Sequence, residues 1–211
     1  VAEQHYQAVQ ELAEAAGASN LLAIPGPAMS QGQMRMTLLL RALLAKPALL
    51  LLDEPFDALD SAARSHFRSA LKLAAERGST IVLTSHRDRD IPAFIRRRIT
   101  LFPPTVEGSG GSIVATDTGA SGSPEERSTT TYSSMSGNIP EAVLPDAPHA
   151  AIIDTCRKNG VPILELVYVD CYINRKLILN DIHWRINPGE QWVVCGKNGS
   201  GKSSLLRLLY G

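Results

Sequence analysis

Near the C-terminal end of this 211-residue chain stands Gly196-Lys197-Asn198-Gly199-Ser200-Gly201-Lys202-Ser203, which fits the G-x-x-x-x-G-K-[ST] pattern of a phosphate-binding loop. The residue types explain the chemistry. Gly196, Gly199 and Gly201 let the backbone wrap tightly around phosphate oxygens. The N–H groups from Asn198 to Ser204, with the positive end of the following helix, then bind the anion. Lys202 is placed to reach the outer phosphates, and the Ser203 hydroxyl to ligate Mg²⁺. The bland alternative is a glycine-rich β–α turn that binds nothing. Against it, Gln191–Cys195 reads as a short buried strand entering the loop, and 204–209 as the start of a helix leaving it.

A second group of chemistry-bearing residues lies far upstream. The uninterrupted apolar run from Ala48 to Leu52 has strand length and ends in Asp53-Glu54-Pro55. Continuous hydrophobicity is expected of a parallel strand covered on both faces, and carboxylates at its C-terminal end sit where open α/β sheets bind ligands. Asp53 suits the shell of a Mg²⁺ ion, and Glu54 suits polarisation of an attacking water. The run from Thr80 to Ser85 reads as a neighbouring strand that ends in His86. A lone histidine after a strand is usually a surface residue, but adjacency puts His86 in the same crevice. Between the two strands, 61–77 is an amphipathic helix with Asp60 or Ser61 as its N-cap and Gly78 as its stop. Further back, Met29-Ser30-Gln31-Gly32-Gln33 opens a helical run over 34–45. Its N–H groups and the Ser30 hydroxyl form a candidate anion site, which an ordinary helix cap explains equally well.

The remaining elements position these groups. Residues 3–16 have helical composition, with Gly17 as terminator. Residues 163–170 and 182–186 read as strands, and Asn187-Pro188-Gly189-Glu190 as the turn into the phosphate-loop strand. From 103 to 150, Gly, Ser, Thr and Pro dominate, a composition that cannot bury enough apolar surface to offset its ordering entropy. That stretch reads as a flexible linker. Its serines and threonines suit phosphorylation, though plain solvation accounts for them better. Zero formal net charge leaves no broad electrostatic footprint for nucleic acid or an anionic membrane. No apolar run approaches the roughly 20 residues of a membrane span. An odd count of three cysteines without C-x-x-C spacing suits a reducing compartment, so a cytoplasmic protein is the expectation.

Taken in order, Met29–Gln33, Leu49–Pro55, Asp57-Ala58-Leu59-Asp60 and His86 resemble the signature, Walker B, D-loop and H-loop series of an ATP-binding cassette (ABC) ATPase. The signature departs from L-S-G-G-Q at Met29 and at Gln31, while Ser30, Gly32 and Gln33 keep the pattern. The resemblance implies ATP and Mg²⁺ as ligands. It makes Glu54, His86 and Asp60 catalytic, and Asp53 and Ser203 ligands of Mg²⁺. The phosphate loop with Ser30, Gly32 and Gln33 would bind nucleotide. It also puts an adenine-stacking aromatic at Tyr172, where a half-buried strand tyrosine is the equal alternative and Tyr168 competes.

In a single cassette of this family the phosphate loop precedes the signature; here it follows. The expected fold is therefore an α/β, P-loop NTPase-type parallel sheet with flanking helices, present as two partial cassettes joined by a flexible linker. Residues 1–102 would end the first cassette, and 151–211 would begin the second. Pro-Phe-Asp-x-Leu-Asp at 55–60, Asp90-Ile91-Pro92-x-Phe94 and Asn187-Pro188-Gly189-Glu190-x-Trp192 resemble the tandem, photorepair-like members that lack membrane spans. The chain looks like an excerpt whose partners are ATP, the missing halves of its own cassettes and a transporter membrane subunit. In the family ATP is sandwiched between one cassette's phosphate loop and the other's signature. Lys202 and Ser203 would then face Ser30 and Gly32, and Asp53, Glu54 and His86 would serve the opposite site. The other arrangement open to the chain is a fold-back, with the phosphate-loop strand packed beside the Walker B strand as within one cassette. The two functional expectations are an ATPase driving a conformational cycle and an interaction module that binds ATP without turnover.

Overall fold

The computed structural model describes residues 2–103, 111–117 and 159–210. Four α-helices are described among them: α1 (Ala2–Ala15), α2 (Gln31–Leu44), α3 (Ser61–Glu76) and α4 (Lys202–Tyr210). The strands are β1 (Leu49–Leu52), β2 (Thr80–Ser85), β3 (Arg97–Phe102), β4 (Ser112–Asp117), β5 (Leu164–Ile173), β6 (Lys176–Ile186) and β7 (Gln191–Cys195). Five of them form one sheet in the order β1-β2-β7-β3-β4, and β5 and β6 form a separate antiparallel pair. Pairing is parallel from β1 through β3, and β4 is an antiparallel edge.

The sheet corrects the expected layout. β7, from the second segment, lies between β2 and β3 of the first, so the two segments share one sheet in the fold-back arrangement. The physical reason is burial on both faces. Alternate residues of a strand face opposite sides. Ile81, Leu83, Val193 and Cys195 enter one core with α1–α3, while Val82, Trp192 and Val194 enter the other with α4 and β6. Val193 and Val194 are fully buried. At about 1.5–3 kcal/mol per large apolar side chain, leaving this strand outside the sheet would forfeit several kcal/mol and leave two parallel edges unpaired.

Hydrogen bonds fasten the joint between the segments. Gly189 N–H donates to Thr80 Oγ1 at 2.8 Å, and Gln191 Nε2 donates to the Ser79 carbonyl at 3.0 Å. Trp192 Nε1 donates to Glu190 Oε2 at 2.9 Å, and Arg97 pairs with Glu190 Oε1 at 3.2 Å while its guanidinium lies 5.4 Å from the Trp192 ring centroid. Trp184 meets Trp192 edge-on, with ring centroids 5.5 Å apart, and so ties β6 to β7.

The linker expectation also needs correction. Ser112–Asp117, inside the Gly/Ser-rich stretch, is a six-residue strand paired with β3. Tertiary pairing overrides composition here, because Ile113 and Ala115 pack on the core while β3 supplies the ladder. Residues 104–110 and 118–158, which take in most of the expected linker and, beyond it, Cys156, lie outside the described residues. The hairpin of β5 and β6 turns at Asn174 and Arg175, both at positive φ (50° and 63°), as a two-residue turn of primed type requires. Gly111 attaches this hairpin to the sheet. Its N–H donates to the Ile178 carbonyl at 2.8 Å, and its own carbonyl accepts from Asn180 N–H at 3.1 Å.

A Cβ on Gly111 would stand 2.6 Å from the Phe102 carbonyl oxygen. Backbone cannot yield as a flexible side chain would, so Gly111→Ala is expected to cost about 1–3 kcal/mol. Thermal unfolding should show a Tm lower by about 2–4 °C per kcal/mol. An unchanged Tm would mean that Gly111 does not hold this junction.

Candidate nucleotide site

Parallel register brings the C-terminal ends of three strands to one edge. Leu52 pairs with Leu83, and Ser85 with Cys195, so Asp53-Glu54, His86 and Gly196 leave the sheet side by side. This is the edge at which open α/β sheets bind ligands. The phosphate loop runs from Gly196 into α4. Gly201 has φ 96°, and a Cβ there would sit 3.1 Å from both Ile178 Cγ2 and Leu179 Cδ2 of β6. Only glycine permits this turn and this approach.

Lys202 is buried, with its side chain 6% exposed, and its ammonium group must therefore be paired. Its Nζ donates to the Gly196 carbonyl at 2.9 Å and the Lys197 carbonyl at 3.3 Å, and it lies 3.3 Å from Glu54 Oε1. The other carboxylate oxygen of Glu54 is 3.1 Å from His86 Nδ1. Thus the phosphate-loop lysine, the glutamate and the histidine, far apart in sequence, meet in one crevice. Asp53 and Ser203 border the same cavity of about 400 Å³ with Leu206, Arg207 and Tyr210. A carboxylate and a hydroxyl facing one cavity are hard oxygen donors of the kind Mg²⁺ prefers, so these two residues fit that ion. Burial pushes the thiol of Cys195, the last residue of β7, above its ordinary pKa; it is a packing residue.

The expected sandwich is not what this arrangement contains. Lys202 faces Glu54, whereas Ser30, Gly32 and Asp60 line a different cavity together with Asn20, Gln33 and His66. The physical reason is again the sheet. With β7 beside β2, the phosphate loop and the Walker B turn share an edge, while the signature sits at the N-terminus of α2. There it is satisfied internally. Ser30 Oγ accepts from Gln33 N–H at 3.3 Å, and Gln33 Oε1 accepts from Ser30 N–H at 2.8 Å, a closed capping box that starts α2 three residues earlier than composition suggests. Gly32 packs against the Leu59 side chain, where a Cβ would be 3.3 Å from Cδ2. Asp60 caps α3 by accepting from Ala63 N–H at 2.7 Å, and Gln31 is exposed.

Tyr172 is exposed on β5, next to Cys171, whose register partner Leu179 touches Gly201. Tyr168 has φ 53° and its ring stands edge-on to His183, with centroids 4.0 Å apart. Two residues escaped the sequence reading. Thr84 Oγ1 accepts from Glu54 N–H at 2.7 Å and donates to Asp53 Oδ1 at 2.8 Å; a polar residue inside a buried strand was the available signal. Arg35 of α2 donates from Nη1 to the Glu54 carbonyl at 3.4 Å and also to the Asp57 carbonyl. Nothing local in sequence marks that contact.

A parallel sheet with a phosphate loop, an Asp-Glu pair and a histidine on one edge defines the P-loop type of nucleotide-binding fold. Residues 179–211 match the family profile described as "ABC transporter", and residues 18–88 match that described as "AAA domain, putative AbiEii toxin, Type IV TA system". The chain is 33% identical over 201 residues to the ABC transporter ATP-binding protein ModF of Escherichia coli, covering 95% of this chain and 39% of that protein. It is also 33% identical over 211 residues to an uncharacterized ABC transporter ATP-binding protein of Schizosaccharomyces pombe, covering 100% of this chain and 39% of the relative. A further relative from Saccharomyces cerevisiae is 28% identical over 192 residues, 86% of this chain and 35% of its own length. The chain belongs to the ABC transporter ATP-binding proteins. It spans about two fifths of the length of these relatives.

The Lys202–Glu54 pair gives a direct prediction. A polyphosphate bound at Lys202 must displace the Glu54 carboxylate and tolerate its charge nearby. Glu54→Gln should therefore bind a non-hydrolysable ATP analogue up to about fivefold more tightly, the scale of a partly exposed ion pair. Lys202→Ala should weaken binding by at least about tenfold, as loss of a charge-assisted phosphate contact does. Calorimetric titration checks both, and weaker binding by Glu54→Gln would sink the competition argument.

Proposed function

We propose that this chain is the nucleotide-handling part of a tandem-cassette ABC ATPase, and that it binds Mg-ATP at the edge where β1, β2 and β7 end. One observation carries the reading: Lys202 Nζ lies 3.3 Å from Glu54 Oε1, with His86 Nδ1 3.1 Å from the other carboxylate oxygen. In this reading the loop N–H groups and Lys202 bind the phosphates. Glu54, released from Lys202, takes a proton from the attacking water, and His86 holds the carboxylate in place. Asp53 and Ser203 would hold Mg²⁺, which when bound neutralises phosphate charge. Tyr172 would stack on the adenine.

Hydrolysis in this family needs a signature from a second cassette, and Ser30 and Gly32 stand apart from Lys202 in this chain. They are therefore proposed to close over the nucleotide of a second cassette or a second copy, with Asp60 nearby. The work coupled to hydrolysis is proposed to be transport through a membrane subunit, or the conformational cycle of a cytoplasmic partner. Among the described residues no helix is long and apolar enough to cross a membrane. The second reading is an interaction module that binds ATP without turning it over. The closed capping box at Ser30 and Gln33 favours it, since each group already has a partner.

Steady-state phosphate release with Mg-ATP separates the two readings. The expected result is low activity that rises faster than linearly with chain concentration, because a second signature is required, and that Lys202→Ala and Glu54→Gln abolish. Tight ATP binding with no release at any concentration would favour the interaction module. Release that survives Lys202→Ala would refute the site itself.

A further inference from the structure

We propose that Thr84 is the positioning residue that holds Asp53 and Glu54 in working orientation, an inference that rests on the nucleotide site proposed above. Adjacent residues leaving a strand point to opposite sides. Asp53 and Glu54 must instead serve one crevice, Asp53 toward the Ser203 cavity and Glu54 toward Lys202 and His86. The chain achieves this by placing Glu54 at φ 44°, in the left-handed region that a non-glycine residue adopts only when its surroundings impose it.

Thr84 imposes it. Its side chain is fully buried at the end of β2, one strand over from the turn. A hydroxyl has one proton to donate and lone pairs to accept with. Here the proton goes to Asp53 Oδ1 at 2.8 Å, and a lone pair receives Glu54 N–H at 2.7 Å. The same oxygen thus fixes the direction of Asp53 and the backbone twist at Glu54. On the far side of the twist Arg35 holds the Glu54 carbonyl. With Oδ1 engaged by Thr84, the other carboxylate oxygen of Asp53 is the one left to bind a cation. Valine matches threonine in shape and strand preference but offers neither bond.

The test is calorimetric titration of the whole chain with ATP in Mg²⁺ and in EDTA, using Thr84→Val and Thr84→Ser. The parent should bind more tightly in Mg²⁺. Thr84→Val should keep the EDTA affinity, which depends on the phosphate loop, yet lose about tenfold of the gain that Mg²⁺ confers, the scale of one hydrogen bond to a charged group. Thr84→Ser should restore it. If circular dichroism shows that Thr84→Val does not fold, Thr84→Cys, similar in size and a weak donor, should show the same selective loss. A full Mg²⁺ gain in the folded variant overturns the proposal, and so does an equal loss in both buffers, which would mark a merely structural role. A parent chain that binds no ATP in either buffer overturns the nucleotide reading first, and this inference with it.

Discussion

The central position of β7 is the constraint on which the rest depends. A strand paired in parallel on both sides and covered on both faces admits polar residues only where they find partners, and it cannot be displaced from its register. Trp192, Val193 and Val194 meet that requirement, and Ser79 and Thr80 of the first segment receive the turn that leads into it. Register then does the chemical work. Because Ser85 is opposite Cys195 and Leu83 opposite Leu52, the phosphate loop, the Asp-Glu turn and His86 emerge on one level. A slip of one residue would turn Val193 and Val194 to the wrong cores and carry Lys202 away from Glu54.

Charge satisfaction shapes the crevice that results. Lys202 is too buried to remain unpaired, and it pairs with Glu54 and with two carbonyls of its own loop. The signature end of α2 behaves alike, with Ser30 and Gln33 bonded to each other. Both parts of the proposed nucleotide machinery therefore stand in a self-satisfied state, and any ligand must exchange these internal partners for its own. Such sites discriminate by what they can replace: a polyphosphate can substitute for a carboxylate at Lys202, whereas a neutral molecule cannot.

Legibility in the sequence followed the range of the interactions. The apolar run at Gln191–Cys195 declared a buried strand because burial on both faces leaves a compositional mark, whereas Leu49–Leu52, just as apolar, is a parallel strand at the edge of the sheet in which only Leu50 is buried. The cap of α3, narrowed to Asp60 or Ser61 and found at Asp60, and Gly78 after the helix were readable because caps act within a few residues. Ser112–Asp117 was not readable as a strand. Gly, Ser and Thr surround it, and its order comes from β3, which no local pattern reveals. The capping box moved the start of α2 back to Gln31, a local effect that composition undervalued. Thr84 and Arg35 were missed because their partners at Asp53, Glu54 and Asp57 are reached only across the sheet or from another helix.

By itself the sequence determined the chemistry available to this protein: a phosphate loop ending in Lys202-Ser203, a carboxylate pair after one apolar strand, His86 after another, and the ABC family to which they belong. Those features are local, set by side-chain type and spacing within one turn or strand. Tertiary structure alone decided which of them meet. It seated β7 between β2 and β3, joined Lys202 to Glu54 and His86, and left Ser30 and Gly32 beside Asp60 in a cavity of their own. The physical reason is that a parallel strand gains its stability from neighbours distant in the chain, so two patterns compatible with the same residues differ only in which edges are paired and which cores are closed.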